Sequence, residues 1–182
     1  MAYQIRAMVE SDWPEVRQIY QEGLNTNLAT FQSQCPTWGE WNASHLKDCR
    51  LVIIEDGKVI GWTALTAVSG RCAYAGVAEV SVYIAQNYRG HGVGKVLLLE
   101  LIRSSEENGF WTLESGIMQD NTVSIRLHES CGFRMVGYRE KIGRDRVGNW
   151  RNIVLMERRS AGDYVDGVCC CSAACCCNDE KI

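Results

Sequence analysis

The chain has 182 residues, 46% of them apolar and 23% charged, and carries a formal charge of −3. This is an ordinary globular mixture, with room for one domain and its own core. Setting aside residues 161–182, which hold Asp163, Asp166, Asp179, Glu180 and Lys181, leaves 18 acids and 18 bases. Neither a nucleic-acid binder nor a polybasic membrane surface is indicated, since both draw on a local excess of Lys and Arg. No apolar run approaches the roughly 18 residues that span a bilayer, and MAYQIRAMVESDW has acids where a signal peptide has its apolar centre. The expected location is the cytoplasm, and small-molecule chemistry is the expected class of function.

In chain order, YQIRAM reads as a first strand. SDWPEVRQIYQEGL then reads as a helix, with Ser11 or Asp12 at its N-cap and Val16, Ile19, Tyr20 and Leu24 at helical spacing. A short helix is predicted over TWGEWNASHLKDC, followed by two strands in RLVIIEDGKVIGWTALTAV around the turn Asp56-Gly57. The alternating VAEVSVYIA leads into the glycine-rich YRGHGVG and the apolar helix GVGKVLLLELIRSSEENG. Next come a strand FWTLESGIM, a helix NTVSIRLHESCG ended by Gly132, and strands FRMVGYREKIG and NWRNIVLMERR. Hairpins mixed with one βαβαβ unit predict an α+β domain, a mixed and mainly antiparallel central sheet flanked by helices, over residues 1–160.

Four of the ten cysteines (Cys35, Cys49, Cys72, Cys131) stand singly without metal-ligand spacing and read as small buried residues of a reducing compartment. The other six crowd into CCCSAACCC, within a stretch from Ala161 onward that lacks periodicity and bulk. That stretch is expected to be a disordered, Cys-rich tail outside the fold. No metal is expected in the site. Soft-metal binding by the tail, in a noncatalytic protein, stays open as an alternative.

Strand, glycine turn, helix is a local arrangement that binds phosphates. Glycines let backbone N–H groups approach a ligand, and the helix start adds the positive end of its dipole. The sequence lacks the Gly-Lys-Ser/Thr of a P-loop, and Gly90, Gly92 and Gly94 do not follow the dinucleotide glycine pattern. A different pyrophosphate ligand is therefore indicated.

Arg89-Gly90-His91-Gly92-Val93-Gly94, preceded by Tyr88, resembles the coenzyme A signature of the GCN5-related N-acetyltransferases, at the place in the chain where that superfamily carries it. The resemblance runs from residue 3 to 158. Within it NLATFQSQCPTWGEW, AEVSVYIAQNYRGHGVG and NTVSIRLHESCGF are similar to the phosphinothricin N-acetyltransferase group, which includes acetyltransferases for methionine sulfoximine, methionine sulfone and arsinothricin. It implies acetyl-CoA as cosubstrate, transfer to the α-amine of a small amino-acid-like molecule, and a homodimer.

The resemblance also implies a site. The N–H groups of Arg89, Gly90, His91, Gly92, Val93 and Gly94 would take the pyrophosphate. Backbone groups of Val82, Tyr83 and Ile84 would take the pantetheine, with Asn121 and Ser124 beside it and a strand N–H near Val82 for the thioester oxygen. Asn121 also reads as a plain helix N-cap. The amine arrives as ammonium and needs a base, and Glu79 matches the group's proposed catalytic glutamate. Strand alternation puts Glu79, Ser81 and Tyr83 on one face. A Glu with an ordinary pKa of about 4.3 is a poor base for an amine unless burial raises it or a water relays the proton.

His128 stands where many of the superfamily carry a Tyr, as a candidate acid, relay or orienting residue. Phe31, Arg71, Tyr74 and Trp150 fall in segments that line the group's substrate site, although Phe31 and Trp150 also read as core aromatics and Arg71 as a solvated loop charge. Several relatives have Trp and a basic residue where this chain has Val68-Ser69, so the herbicide need not be its substrate. A peptide or protein N-terminal acetyltransferase is the other enzyme the resemblance allows.

Overall fold

The computed structural model describes residues 3–160; the expectations for 161–182 lie outside the described residues. Seven strands form one sheet in the order β1-β2-β3-β4-β5-β7-β6. They span Gln4–Ala7 (β1), Leu51–Glu55 (β2), Lys58–Ala67 (β3), Val77–Ile84 (β4), Thr112–Met118 (β5), Arg134–Arg144 (β6) and Trp150–Arg159 (β7). Every neighbouring pair is antiparallel except β4 with β5. The expected α+β architecture is the one observed. Helices α1 (Trp13–Asn25), α2 (Trp38–Ser44), α3 (Val93–Glu107) and α4 (Thr122–Ser130) complete it.

Two cores lie on opposite faces of the sheet, because β2, β3 and β4 are apolar on both sides. On one face Val16, Ile19 and Tyr20 of α1 and Trp41 of α2 pack on Val52, Val59, Trp62 and Ala64. On the other Val93, Leu97, Leu98, Leu101 and Ile102 of α3 pack on Ile53, Leu65, Val80, Leu113 and Met156. Continuous apolar runs are what a sheet covered on both faces requires. None of the described helices is long and apolar enough to cross a membrane.

The Asp56-Gly57 turn joins β2 to β3 with both residues at positive φ, 49° and 77°, the geometry that favours Asp-Gly in a two-residue hairpin. Asp12 is the N-cap residue of α1, one of the two expected there, but its side chain makes no capping bond. Its carboxylate instead takes two 2.7 Å bonds from the Arg6 guanidinium and one of 2.9 Å from the Val9 N–H, a paired arrangement that outcompetes a single capping bond. Helix α2 stops at Ser44 rather than near Cys49. His45 turns to extended backbone (φ −104°, ψ 149°), and the Leu46 N–H bonds the Leu65 carbonyl, 2.8 Å away on β3.

The feature that makes a site is the shortness of the β4–β5 pairing. Only Val77, Ala78 and Glu79 are paired, with Thr112, Leu113 and Glu114, while β4 continues beside β3 as far as Ile84. Beyond Glu79 the two strands part, and backbone groups along that edge of β4 are left without strand partners.

Candidate active site

The parting of β4 and β5 opens a cavity of about 390 Å³, within the range of small-molecule sites. Val80–Tyr83 and Ser115–Met118 form its strand walls, and Asn121, Ser124 and His128 of the α4 region close one side. Leu28–Gln32, with Tyr20, Ser44, His45 and Thr66, close the other, and Glu79 stands at the fork.

Glu79 is reached by solvent through the cavity yet is surrounded by protein elsewhere. Burial pushes its pKa up from the ordinary 4.5, the Gly116 N–H opposes this, and the Glu114 carboxylate reinforces it. Register places Thr66 opposite it on β3. Glu79, Ser81 and Tyr83 share the face toward α1, whereas Val80 and Val82 join the α3 core, in line with strand alternation.

His128 is 1% exposed. Its Nδ1 lies 2.8 Å from the Ser124 carbonyl oxygen. A carbonyl only accepts, so Nδ1 carries the proton and Nε2 holds a lone pair. Nε2 is buried with no hydrogen-bond partner, and burial holds the ring's pKa below 6.5, partly offset by the Ser124 carbonyl. The ring meets Phe133 edge to face at 4.9 Å.

Asn121 is the N-cap of α4, one of the two readings the sequence left open. Its Oδ1 accepts the Ser124 N–H at 3.2 Å as the N-cap of α4, and its Nδ2 donates to the Leu28 carbonyl, also at 3.2 Å. One Nδ2 hydrogen remains.

At the C-terminal end of β4, Ile84 leads to the glycine turn. Gly90 and Gly92 have φ of 80° and 82°, values that a side chain would strain. The first helical bonds of α3 run from Lys95 and Val96 to the Gly92 carbonyl, so the N–H groups just ahead of them are the orphan donors of a helix start. Gly94 has a different reason. A Cβ there would stand 3.2 Å from a Leu127 methyl, so its absence lets α3 approach α4. The Arg89 guanidinium donates to the Ile84 carbonyl at 2.9 Å, which fixes the turn to the strand.

A family model described as the acetyltransferase (GNAT) family matches residues 5–133. The chain belongs to this family. It is an N-acetyltransferase that uses acetyl-CoA, and it resembles the phosphinothricin N-acetyltransferases. One such protein, from Alcaligenes faecalis, is 35% identical over 87% of this chain and 84% of its own length. A phosphinothricin acetyltransferase from Sinorhizobium meliloti, crystallised with acetyl-CoA, superposes with a TM-score of 0.79 at 28% identity over 91% and 97% of the two chains. A ribosomal-protein-alanine N-acetyltransferase from Brucella melitensis reaches 0.80 at 30% identity over 86% and 99%.

The residues of this acetyltransferase fit acetyl-CoA. The open edge of β4 would offer backbone groups to the pantetheine amides. The Gly90–Gly92 turn, at positive φ that glycine adopts freely, and the start of α3 would offer N–H groups to the pyrophosphate. Among the described residues no group of three or more His, Cys, Asp or Glu is placed to hold a metal ion.

Of the expected substrate residues, Phe31 lines the cavity and Arg71, Tyr74 and Trp150 do not. Arg71 and Tyr74 belong to an exposed 3-10 turn between β3 and β4. Trp150 is 53% exposed, with the Arg144 guanidinium 4.5 Å over its ring. Tyr20, Ser44, His45 and Thr66 were not foreseen. They come from α1, the end of α2 and β3, with no spacing in the sequence to connect them.

Proposed function

We propose that this acetyltransferase moves the acetyl group of acetyl-CoA directly onto the α-amine of a small amino-acid-like molecule of the phosphinothricin, methionine sulfoximine or sulfone, or arsinothricin type, in the cytoplasm. One observation carries the reading: a carboxylate of raised pKa, Glu79, stands at the fork of the parted strands in a cavity of small-molecule size. Acetyl-CoA supplies the activated acyl group as a thioester.

Glu79 takes a proton from the ammonium, directly or through one water, and its raised pKa makes it a better base for that step than a carboxylate of ordinary pKa. The free amine attacks the thioester carbonyl carbon, the nitrogen gives up a second proton as the C–S bond breaks, and coenzyme A leaves as a thiolate that takes up a proton. A strand N–H near Val82, the donor that the resemblance implies, would stabilise the oxygen that gains charge. As it stands, His128 is no acid, because its one N–H is held by the Ser124 carbonyl. The lone pair on Nε2 suits it to receive a proton and pass it to the thiolate. Asn121 and Ser124 line the same wall.

The likeness to a ribosomal-protein-alanine N-acetyltransferase keeps peptide amines as a second substrate class. Against it, Leu28–Gln32 line the same cavity as Glu79, and a cavity of about 390 Å³ suits a small molecule. The deciding assay is thiol release from acetyl-CoA with amino-acid analogues and with N-terminal peptides.

A homodimer is part of the same reading. Strand β6 is an outer strand of the sheet, and Met135, Val136, Tyr138 and Ile142 on it are all exposed, apolar surface that a second copy could cover. Light scattering should give twice the chain mass of 20.4 kDa, and Tyr138→Lys should shift it to the monomer. A wild-type protein of single-chain mass at assay concentration contradicts the dimer.

A further inference from the structure

The wall Leu28–Gln32 follows α1 and contains no helix or strand of its own. It is held from the far end of the sequence. The Asn27 Nδ2 donates to Asp145 Oδ2 at 2.9 Å, and the Arg151 guanidinium donates to the Asn27 carbonyl at 3.1 Å. Asn121 donates to the Leu28 carbonyl, and Arg146 to that of Asn25 at 3.3 Å. Asn27 itself has φ of 55°, the left-handed conformation that Asn tolerates, and there the chain turns from α1 into the wall. Phe31 rests over Gly143 of β6, where an added Cβ would lie 3.0 Å from its ring.

Asp145 is the centre of this arrangement. Its side chain has no exposure, and its two oxygens do different work. Oδ1 accepts the N–H groups of Val147 (3.1 Å) and Asn149 (2.9 Å), closing the turn between β6 and β7. Oδ2 faces Asn27, with the Arg151 Nε 3.7 Å away. Arg151 is in turn held by Asp120 at 3.1 Å. A buried carboxylate with every neighbour a donor holds its partners firmly. The side-chain bonds that close the turn of residues 145–149 use Oδ1 alone, which leaves Oδ2 to Asn27 and Arg151.

We propose that Asp145, Asn27 and Arg151 form a latch that sets the shape of the amine end of the cavity, so that they are positioning residues for the amine, acting through Leu28–Gln32. This rests on the reading that the amine occupies that end, with acetyl-CoA between the parted strands. The latch then governs one substrate and leaves the other alone.

Asp145→Asn separates the two oxygens. The amide keeps an acceptor at Oδ1 for the turn but turns an NH2 toward Asn27 and Arg151, donor against donor. Asn27→Gly removes the other half and keeps the left-handed turn. In the full chain each variant should raise the amine KM about tenfold, the scale of a lost charge-assisted hydrogen bond, with the acetyl-CoA KM within about twofold. The exchange N27D/D145N restores a carboxylate facing an amide and should recover most of the loss. Hydrogen exchange without any amine should quicken at residues 25–32 in the single variants, not in α3, and slow again in the exchange pair.

Unchanged amine KM, or amine and acetyl-CoA KM rising together, overturns the latch. So does exchange at 25–32 that is the same in all four proteins. If wild-type protein acetylates no amino-acid analogue, the proposed function fails, while the hydrogen exchange still decides whether the latch exists.

Discussion

Glu79→Gln should lower kcat by about 10²- to 10⁴-fold, the usual worth of a positioned base, with acetyl-CoA binding unchanged. Gln keeps the size of the side chain but cannot take the ammonium proton. In the wild type, the acid limb of kcat/KM should lie above the ordinary carboxylate range, because burial raises the Glu79 pKa. The variant should lack that limb and regain rate as alkaline pH supplies free amine. A carboxyl whose pKa is higher folded than unfolded contributes stability below the unfolded value, here 4.5, and loses it as pH rises through the folded value. At neutral pH Glu79→Gln should therefore melt no lower than wild type. Full activity in a folded Glu79→Gln that still binds acetyl-CoA would remove the base from the mechanism.

His128→Ala should be the second large effect, and it should act on rate and fold together. Removing a ring that is 1% exposed and packed on Phe133 leaves a cavity, and substitutions of this kind cost about 2–4 kcal/mol. Loss of the relay should lower kcat about 10²-fold. His128→Gln separates the two, since it fills more of the space and restores a polar side chain. Stability recovered without rate would point to the imidazole itself. The pH dependence follows from the lowered pKa: the unfolded ring takes a proton near 6.5 while the folded ring resists it. Wild type should lose stability as pH falls from 6.5 toward the folded pKa. His128→Ala should lose less over that interval, although His45, also lowered by burial beside Trp41 and Arg50, keeps a share of the sensitivity. Rate retained in a folded His128→Ala would reduce this residue to packing.

Much of the site was legible because its reasons are local. Gly90 and Gly92 announce a turn of positive φ, Asp56-Gly57 announces a hairpin, and alternation in Glu79–Tyr83 assigns faces to a strand. Residues whose role depends on what lies across the molecule were not legible. Asp145 stands between two predicted strands with no motif around it, and only folding brings it to Asn27, 118 residues away. His45 reads as part of a helix until the 2.8 Å bond of Leu46 to β3 ends that helix and leaves its ring stacked on Trp41 at 4.2 Å, facing the cavity. Trp150 falls in a segment that the resemblance gives to the substrate site, yet it lies outside the cavity with the Arg144 guanidinium of the neighbouring strand over its ring. Asp12 fits a helix cap by spacing and is claimed by Arg6.

The measurement that tests the central claim most directly is thiol release at saturating acetyl-CoA with phosphinothricin, methionine sulfoximine, methionine sulfone, arsinothricin and a few N-terminal peptides, with the acetylated nitrogen identified in the product. Turnover of at least one amino-acid analogue at its α-amine, far above any peptide and abolished by Glu79→Gln, is the predicted result. Turnover of peptides with silence on every analogue would contradict it.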